Sequence, residues 1–210
     1  MKSLITVIAF LSCFIASAQT NQEKNILEWY KTNQTGVVSS SGRLAIVYTP
    51  PPYGMNPVSA KEFDASKPID YRFISTTNVP SFIYILRPEY QFHFFMLAEN
   101  GDVVEPTRQG AKYGRLYDDL KTLDWHNTIG IDNRGNYIYG PADIPYHHPG
   151  PATSIPSPDD LFKIPKPGKY TLTIQAACFA SRDWPPQTNY DLIKLPPVRL
   201  NIIKREDEKH

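Results

Sequence analysis

The sequence predicts an all-β protein arranged as an antiparallel β-sandwich, and three observations lead to that prediction. The chain has 20 prolines in 210 residues, and because proline interrupts helix interiors and central strands, its regular elements must be short. Segments with period-two alternation or short apolar runs recur from residue 43 onward, as expected of strands. Pro, Gly, Asn and Asp separate these segments, which favours strands joined by turns over alternating strands and helices.

Residues 1–18 have the pattern of a secretory signal peptide. Lys2 precedes an apolar run from Leu4 to Ile15, and Ala16-Ser17-Ala18 follows as a small-residue cleavage site. An uncleaved membrane anchor is the first alternative, but it requires a longer apolar run. A lipoprotein anchored through Cys13 is the second, and the apolar residues after Cys13 disfavour it. We therefore expect an exported protein, periplasmic or extracellular, with no membrane span after cleavage.

Three further segments follow the signal peptide. Residues 19–36 are expected to form either a mobile leader or a short helix, because Ile26, Leu27 and Tyr30 lie on one helical stripe. Residues 37–204 are assigned to the sandwich, and residues 205–210 to a solvated charged tail. Eight segments of the sandwich are predicted as strands: residues 43–49, 69–76, 82–86, 90–98, 102–107, 160–164, 170–179 and 198–204.

Two connections carry specific turn chemistry. Asn100-Gly101 predicts a two-residue hairpin, because both residues tolerate positive φ. Pro167-Gly168 predicts a type II turn, in which Pro presets φ and Gly accepts the left-handed conformation.

The regular pattern lapses over residues 106–159, which we predict to be a long irregular insertion. Within it, residues 116–125 suggest a short helix, residues 127–131 and 136–140 suggest small strands, and residues 144–158 look irregular. A compact domain seldom carries so long a loop without a function, so this segment is where a site is sought first.

Charge and cysteine content exclude some function classes. Without residues 1–18 the chain has 21 basic residues (22 less Lys2) and 21 acidic ones. A formally neutral chain lacks the basic footprint of a nucleic-acid or anionic-lipid binder. The same removal leaves Cys178 as a single thiol, which excludes an intrachain disulfide. By period two, Cys178 shares a face with Tyr170, Leu172 and Ile174, so it is predicted to be a buried, unreactive small hydrophobe.

The segment from Asp160 to Ile174 reads "DLFKIPKPGKYTLTI". Its order, with Phe162 on an incoming strand, Pro167-Gly168 at a corner and Tyr170 at the start of the next strand, resembles the tyrosine corner of immunoglobulin-type sandwiches. Together with "PIDYRFISTTN" and "YQFHFFMLAENGDVV", it is similar to secreted bacterial immunoglobulin-like modules, including those like the intracellular proteinase inhibitor family. The resemblance covers residues 68–175 and implies a binding or structural module, with protease inhibition as one option. One departure is Leu172, where antibody-type domains place a cysteine.

Candidate catalytic and metal-binding residues lack the partners such sites need. His147-His148 would require further ligands at a recognised spacing. Asp124-Trp125-His126 could supply a base and its orienting carboxylate, but no serine occupies a nucleophile elbow. The acidic pairs Asp118-Asp119 and Asp159-Asp160 are sequence neighbours, not carboxylates set across a cleft. His93 is expected to be a surface or satisfied sheet residue.

These observations favour a non-catalytic exported module that binds a protein or supports an envelope or extracellular assembly, with no cofactor, metal or nucleic acid. A carbohydrate-binding module is the first alternative. It would use loop aromatics as stacking platforms, and the candidates are Trp184, Tyr190 and Tyr146. A hydrolase built in the 106–159 segment is the second alternative, and it would need His126 or His147 opposite a carboxylate and a nucleophile. Partner and oligomeric state are left open.

Overall fold

A computed structural model describes residues 28, 31–49, 62–77, 81–84, 87–114, 116, 128–132, 137–139, 153–181 and 190–206. The described part of the chain is mostly β, which confirms the predicted all-β class. Its twelve strands are β1 (Gly36–Val38), β2 (Leu44–Thr49), β3 (Phe63–Asp64), β4 (Ile69–Ser75), β5 (Ser81–Tyr84), β6 (Phe92–Ala98), β7 (Thr128–Ile131), β8 (Tyr137–Tyr139), β9 (Thr153–Ile155), β10 (Gly168–Ser181), β11 (Asp191–Lys194) and β12 (Val198–Lys204). Two α-helices, α1 (Pro88–Gln91) and α2 (Pro158–Leu161), and the 3₁₀ helix Gly110–Tyr113 complete the described elements.

The strands form two sheets. The smaller sheet has the order β1-β2-β4-β9, and every pairing in it is antiparallel. The larger sheet has eight strands and runs β3-β12-β10-β5-β7-β8, with β6 and β11 also paired to β10. Its pairings are antiparallel except for β3 with β12.

The 14-residue strand β10 organises the larger sheet. Along one edge it pairs first with β12 and then with β11, and along the other first with β6 and then with β5. The register along the first edge shifts by one residue, because Leu195 to Pro197 lie opposite Gln175 and Ala176. This is a β-bulge, and it is a position where the prolines remove no ladder hydrogen bond.

Both sheets contribute to one hydrophobic core. Leu44, Ile46 and Tyr48 reach it from the smaller sheet by period two. The core face of β10 is formed by Tyr170, Leu172, Ile174, Ala176, Cys178 and Ala180. The predicted burial of Cys178 is confirmed, since its exposed fraction is 0%.

Most predicted strands are present, but two are not. Residues 160–164 begin inside helix α2, and only Phe162 pairs afterwards, in an isolated bridge with Pro106. The strand prediction was wrong because Ser157 caps the helix, accepting a hydrogen bond from the backbone N–H of Asp160, and Pro158 sets the first turn. Residues 102–107 also form isolated bridges, at Val103 and Pro106, and not a continuous strand.

The Asn100-Gly101 hairpin differs from the two-residue turn predicted. The backbone N–H of Gly101 bonds the carbonyl of Ala98, and the N–H of Ala98 bonds the carbonyl of Asp102. Gly101 has φ +89°, whereas Gln34 is the only non-glycine with positive φ among the described residues. The connection is therefore a three-residue loop with a glycine bulge, which needs one left-handed residue instead of two.

The corner before β10 is closed by Tyr170. Its hydroxyl donates a hydrogen bond to the backbone carbonyl of Lys166 at 2.8 Å, which is the kind of contact expected of a tyrosine corner. Gly168 has φ +151°, larger than the value near +80° that a type II turn requires, so the corner is not a regular type II turn.

Over its described residues, the segment 106–159 contains regular elements as well as irregular ones. It supplies β7 and β8 to the larger sheet and β9 to the smaller one. The small strands expected near residues 127–131 and 136–140 are present, and residues 153–155 add a strand that was not expected. The helix expected at 116–125 lies outside the described residues apart from Leu116. At the N-terminus, Glu28, Lys31 and Thr32 have helical backbone.

Candidate functional sites

Tyr190 lies in the interior of the fold. Its exposed fraction is 8%, and its ring packs edge-on against Tyr84 with a centroid separation of 5.9 Å. With Phe179, the two tyrosines form a small cluster on the face of β10 that points away from the main core. A ring so enclosed offers no open face for stacking on a sugar. Trp184 and Tyr146, the other two predicted contacts, lie outside the described residues.

The residues considered for catalysis also lie partly within and partly outside the described residues. His126, His147, His148 and Asp124 lie outside the described residues. His93 is half-buried on β6 opposite Gln175, as a sheet histidine. Within the described ranges, no group of three or more His, Cys, Asp or Glu side chains is placed to hold a metal ion.

The described acidic pair has structural partners. The carboxylate of Asp159 lies 2.7 Å from Nζ of Lys204, and both side chains are about three-quarters buried. The carboxylate of Asp160 accepts a hydrogen bond from the Ser157 hydroxyl at 2.6 Å. Both acids lie in the first turn of α2, where negative charge is stabilised by the helix dipole.

Two groups of described residues were not among the predicted sites: one is an exposed apolar surface, and the other is a mostly buried cluster of polar side chains. The first, which we name the Phe95 face, is the outward side of β6 and the adjoining hairpin: Phe95, Leu97 and Val103, bordered by Thr171 and Thr173 of β10. Phe95 is 41% exposed and Val103 is 62% exposed. Val103 bridges to Leu97, and Thr173 and Thr171 pair with Phe95 and Leu97, so these side chains share one side of the sheet.

The position of the Phe95 face follows from alternation along β6. Phe92, Phe94 and Met96 point inward and are buried in the core, so Phe95 and Leu97 must point outward. The sequence contains this signal, because "FHFFMLA" has apolar residues on both alternating sets. The predicted sites did not include this outward apolar set.

The second group, which we name the Arg43 cluster, is mostly buried and lies where strand ends from both sheets meet: Arg43, Ser75, Ser81, Ser181 and Asp191. β2 begins after Arg43 and β4 ends at Ser75, while β5 begins at Ser81, β10 ends at Ser181 and β11 begins at Asp191. The side-chain oxygens of Ser75 and Ser81 lie 3.3 Å apart. The N–H of Ser75 donates to the carbonyl of Asp132 at 3.0 Å, which joins the smaller sheet to the end of β7.

Arg43 is the charged member of the Arg43 cluster with the deepest burial. Its side chain is 9% exposed, and its Nη1 donates to Oδ2 of Asp191 at 3.0 Å. Burial raises the pKa of the Cys178 thiol to about 12, and the positive charge of Arg43 opposes that rise.

Comparison with known proteins does not place the chain in a family. No protein-family model matches the chain, and no curated protein or solved structure matches it. None of the helices in the described ranges is long and apolar enough to cross a membrane. What is established is the class, an all-β protein with mainly antiparallel sheets, and the immunoglobulin-like resemblance stays a prediction.

Proposed function

We propose that the chain is an exported, non-catalytic β module that binds a protein partner through the Phe95 face. One observation carries the proposal: Phe95 and Val103 are large apolar side chains, 41% and 62% exposed, on the same side of one hairpin. Exposed apolar residues that cluster on a folded surface are typical of interaction sites. Aromatic residues in particular are enriched at the centres of protein interfaces.

The surroundings of Phe95 favour a protein over a sugar as the partner. Phe95 has aliphatic neighbours, Leu97 and Val103, and threonine methyl groups across the strand pair. The salt bridge between Lys163 and Glu105, with a 3.0 Å separation and both side chains exposed, borders the hairpin. An apolar centre with a charged rim matches the usual anatomy of a protein interface.

The export part of the proposal has its support in residues 1–18 alone. A protein partner is therefore sought in the cell envelope or the medium. The non-catalytic part has its support in the sequence, which offers no nucleophile elbow.

Photocrosslinking tests the Phe95 face directly. A photoreactive amino acid replaces Phe95 in one version of the protein, and Ser40, exposed in the turn between β1 and β2, in a control version. After irradiation in envelope and medium fractions, we expect a discrete protein adduct from position 95 and none of that mass from position 40. Identical adducts from both positions, or no adduct from position 95, would contradict the proposal.

A matched pair of variants gives the quantitative arm. The double variant Phe95→Ser, Val103→Ser should reduce capture of the same partner at least ten-fold, because hot-spot residues account for most binding energy. Lys163→Ser, a change on the rim, should reduce capture less than three-fold, as exposed ion pairs contribute little. A glycan array run beside these experiments tests the alternative. A saturable glycan signal with no protein adduct would replace the protein-binding proposal by the carbohydrate one.

A further inference from the structure

Asn100 and Gly101 lie at the tip of the hairpin that follows β6, and both residues are exposed. A Cβ atom added to Gly101 would meet no other atom within 4 Å, so the peptide link between the two residues is open to solvent. The side-chain amide of Asn100 is therefore next to a backbone nitrogen that no side chain shields.

An Asn-Gly link can react within its own chain. The Gly101 nitrogen loses its proton to hydroxide and attacks Cγ of Asn100, so that a new C–N bond forms, the Cγ–Nδ2 bond breaks and Nδ2 leaves as ammonia with a proton from water. Water then opens the resulting succinimide ring at either carbonyl and leaves aspartate or isoaspartate. Ring closure is favoured because one chain holds both reacting atoms, and because glycine has no Cβ atom to hinder it.

Two hydrogen bonds of the loop act on this reaction in opposite directions. The Asp102 N–H donates to Oδ1 of Asn100 at 3.1 Å. Since negative charge develops on Oδ1 during the attack, this donor favours the reaction. The Gly101 N–H donates to the carbonyl of Ala98 at 2.9 Å, and that bond must open first. Hydrogen bonds at an exposed loop tip open at low free energy, so the folded state slows the reaction without preventing it.

The new carboxylate would lie where the loop now has a hydrogen bond. Nδ2 of Asn100 donates to Oδ2 of Asp102 at 2.6 Å. Replacing this nitrogen by oxygen removes the donor and brings together two negative charges, which repel each other. The loop is closed by the bond from the Ala98 N–H to the carbonyl of Asp102, at 2.8 Å. Repulsion between residues 100 and 102 therefore acts directly against the closure of the hairpin.

We propose that Asn100 is a deamidation site, and that its conversion to aspartate or isoaspartate opens the hairpin that carries Val103. The closed hairpin holds Val103 opposite Leu97, so opening it moves Val103 away from the rest of the Phe95 face. The reaction needs only water, and the Phe95 face therefore weakens as the molecule ages. The modification is independent of any partner, whereas its effect on partner binding rests on the proposed function.

Peptide mass spectrometry tests the reaction after incubation of the purified protein in mildly alkaline buffer. Asn201 is the internal control, because it is exposed on β12 but followed by the buried, β-branched Ile202. We expect the Asn100 amide to convert at least ten-fold faster than the Asn201 amide, with isoaspartate among the products. Equal rates at the two asparagines would overturn the proposal. So would a folded protein that keeps its Asn100 amide after the same amide has converted completely in urea.

A variant that carries one of the products tests the opening of the hairpin. Asn100→Asp should make the Ala98 amide exchange its hydrogen at least ten-fold faster than in the unaltered protein. Ser40→Asp is the matched control, because it adds the same charge at an exposed turn between β1 and β2, and it should leave this exchange unchanged. Unchanged exchange of the Ala98 amide in Asn100→Asp would overturn the proposal.

Photocrosslinking from position 95 then measures the effect on the Phe95 face. The yield of the protein adduct should fall at least three-fold with Asn100→Asp and stay the same with Ser40→Asp, because Val103 belongs to the proposed contact. Equal yields in the two variants would overturn the effect on partner binding. The absence of any adduct in the unaltered background would contradict the proposed function instead, and the mass spectrometry and hydrogen exchange would still decide whether Asn100 reacts and opens the hairpin.

Discussion

Cys178 shows how far alternation alone can predict a residue's environment. Its period-two relation to Tyr170, Leu172 and Ile174 placed it on the core face of a strand, and its exposed fraction of 0% agrees. Alternation did not predict that the opposite face of the strand is also buried near its C-terminal end. From Ala176 to Ser181 every residue is buried, because Phe179 packs with Tyr84 and Tyr190 on the outer side. Such packing depends on residues distant in sequence.

The thiol of Cys178 should be inert in the folded protein. Its pKa of about 12 leaves almost no thiolate near neutral pH, and the thiolate is the reactive form. A disulfide exchange reagent at pH 7.5 should label the native protein at least a hundred-fold more slowly than the protein in denaturant. Labelling at similar rates in the two states would contradict the buried environment.

The same shift in pKa predicts a loss of stability in alkali. An unfolded cysteine ionises near pH 8.5, whereas Cys178 in the folded state ionises near 12. Between these values the unfolded state binds fewer protons, so the free energy of unfolding falls as pH rises, by up to about 1.4 kcal/mol per pH unit. Urea unfolding from pH 8 to 10 should therefore show a shallower decline for Cys178→Ala than for the unaltered protein. Equal slopes would contradict the predicted linkage.

At the scale of elements, the residues at the start of α2 explain why the segment predicted as a strand, residues 160–164, begins inside a helix. "DLFKI" has a strand-like apolar pattern, but Ser157-Pro158-Asp159-Asp160 contains a cap, a helix-compatible proline and two acids for the first turn. These local signals were present in the sequence and determine the backbone from residue 158 to 161. The apolar residues Leu161 and Phe162 still reach the core, as the pattern indicated.

The Ser157 cap should be measurable in stability. Ser157→Ala removes the hydrogen bond from the Asp160 N–H, which has an N···O distance of 3.2 Å, and should lower the free energy of unfolding by about 1 kcal/mol. Ser154→Ala on strand β9 is the matched control, because Ser154 is exposed, and it should change the free energy by less than about 0.5 kcal/mol. Chemical unfolding measures both. Equal effects of the two substitutions would show that the cap does not stabilise α2.

At the scale of the whole molecule, sequence predicted the elements better than their arrangement. Alternation and turn residues located β2, β4, β10 and β12, because these signals are local. The assignment of β7, β8 and β9 to two different sheets was not predicted, since strand pairing across a long segment depends on tertiary packing. The Arg43 cluster was missed for the same reason. Arg43 and Asp191 are 148 residues apart in sequence, and nothing local indicates their contact.

The central feature of the molecule is the long strand β10, which pairs with other strands of the larger sheet along both of its own edges. Its first half pairs with β6 and β12, and its second half with β5 and β11. The core-facing side chains of both halves of β10 belong to the hydrophobic core that the two sheets form together. We therefore expect one cooperative unit in which neither half of β10 opens without the other.

Native-state hydrogen exchange tests this expectation most directly, because it gives the opening free energy of each amide. The hydrogen-bonded amides of Leu172 to Ile174 and of Ala177 to Ala180 should exchange with the same free energy, equal to that of global unfolding. The edge strand β1 should exchange with a lower free energy. If the second half of β10 opened together with β5 and β11 at a free energy well below that of the first half, the claim of one cooperative unit would be contradicted.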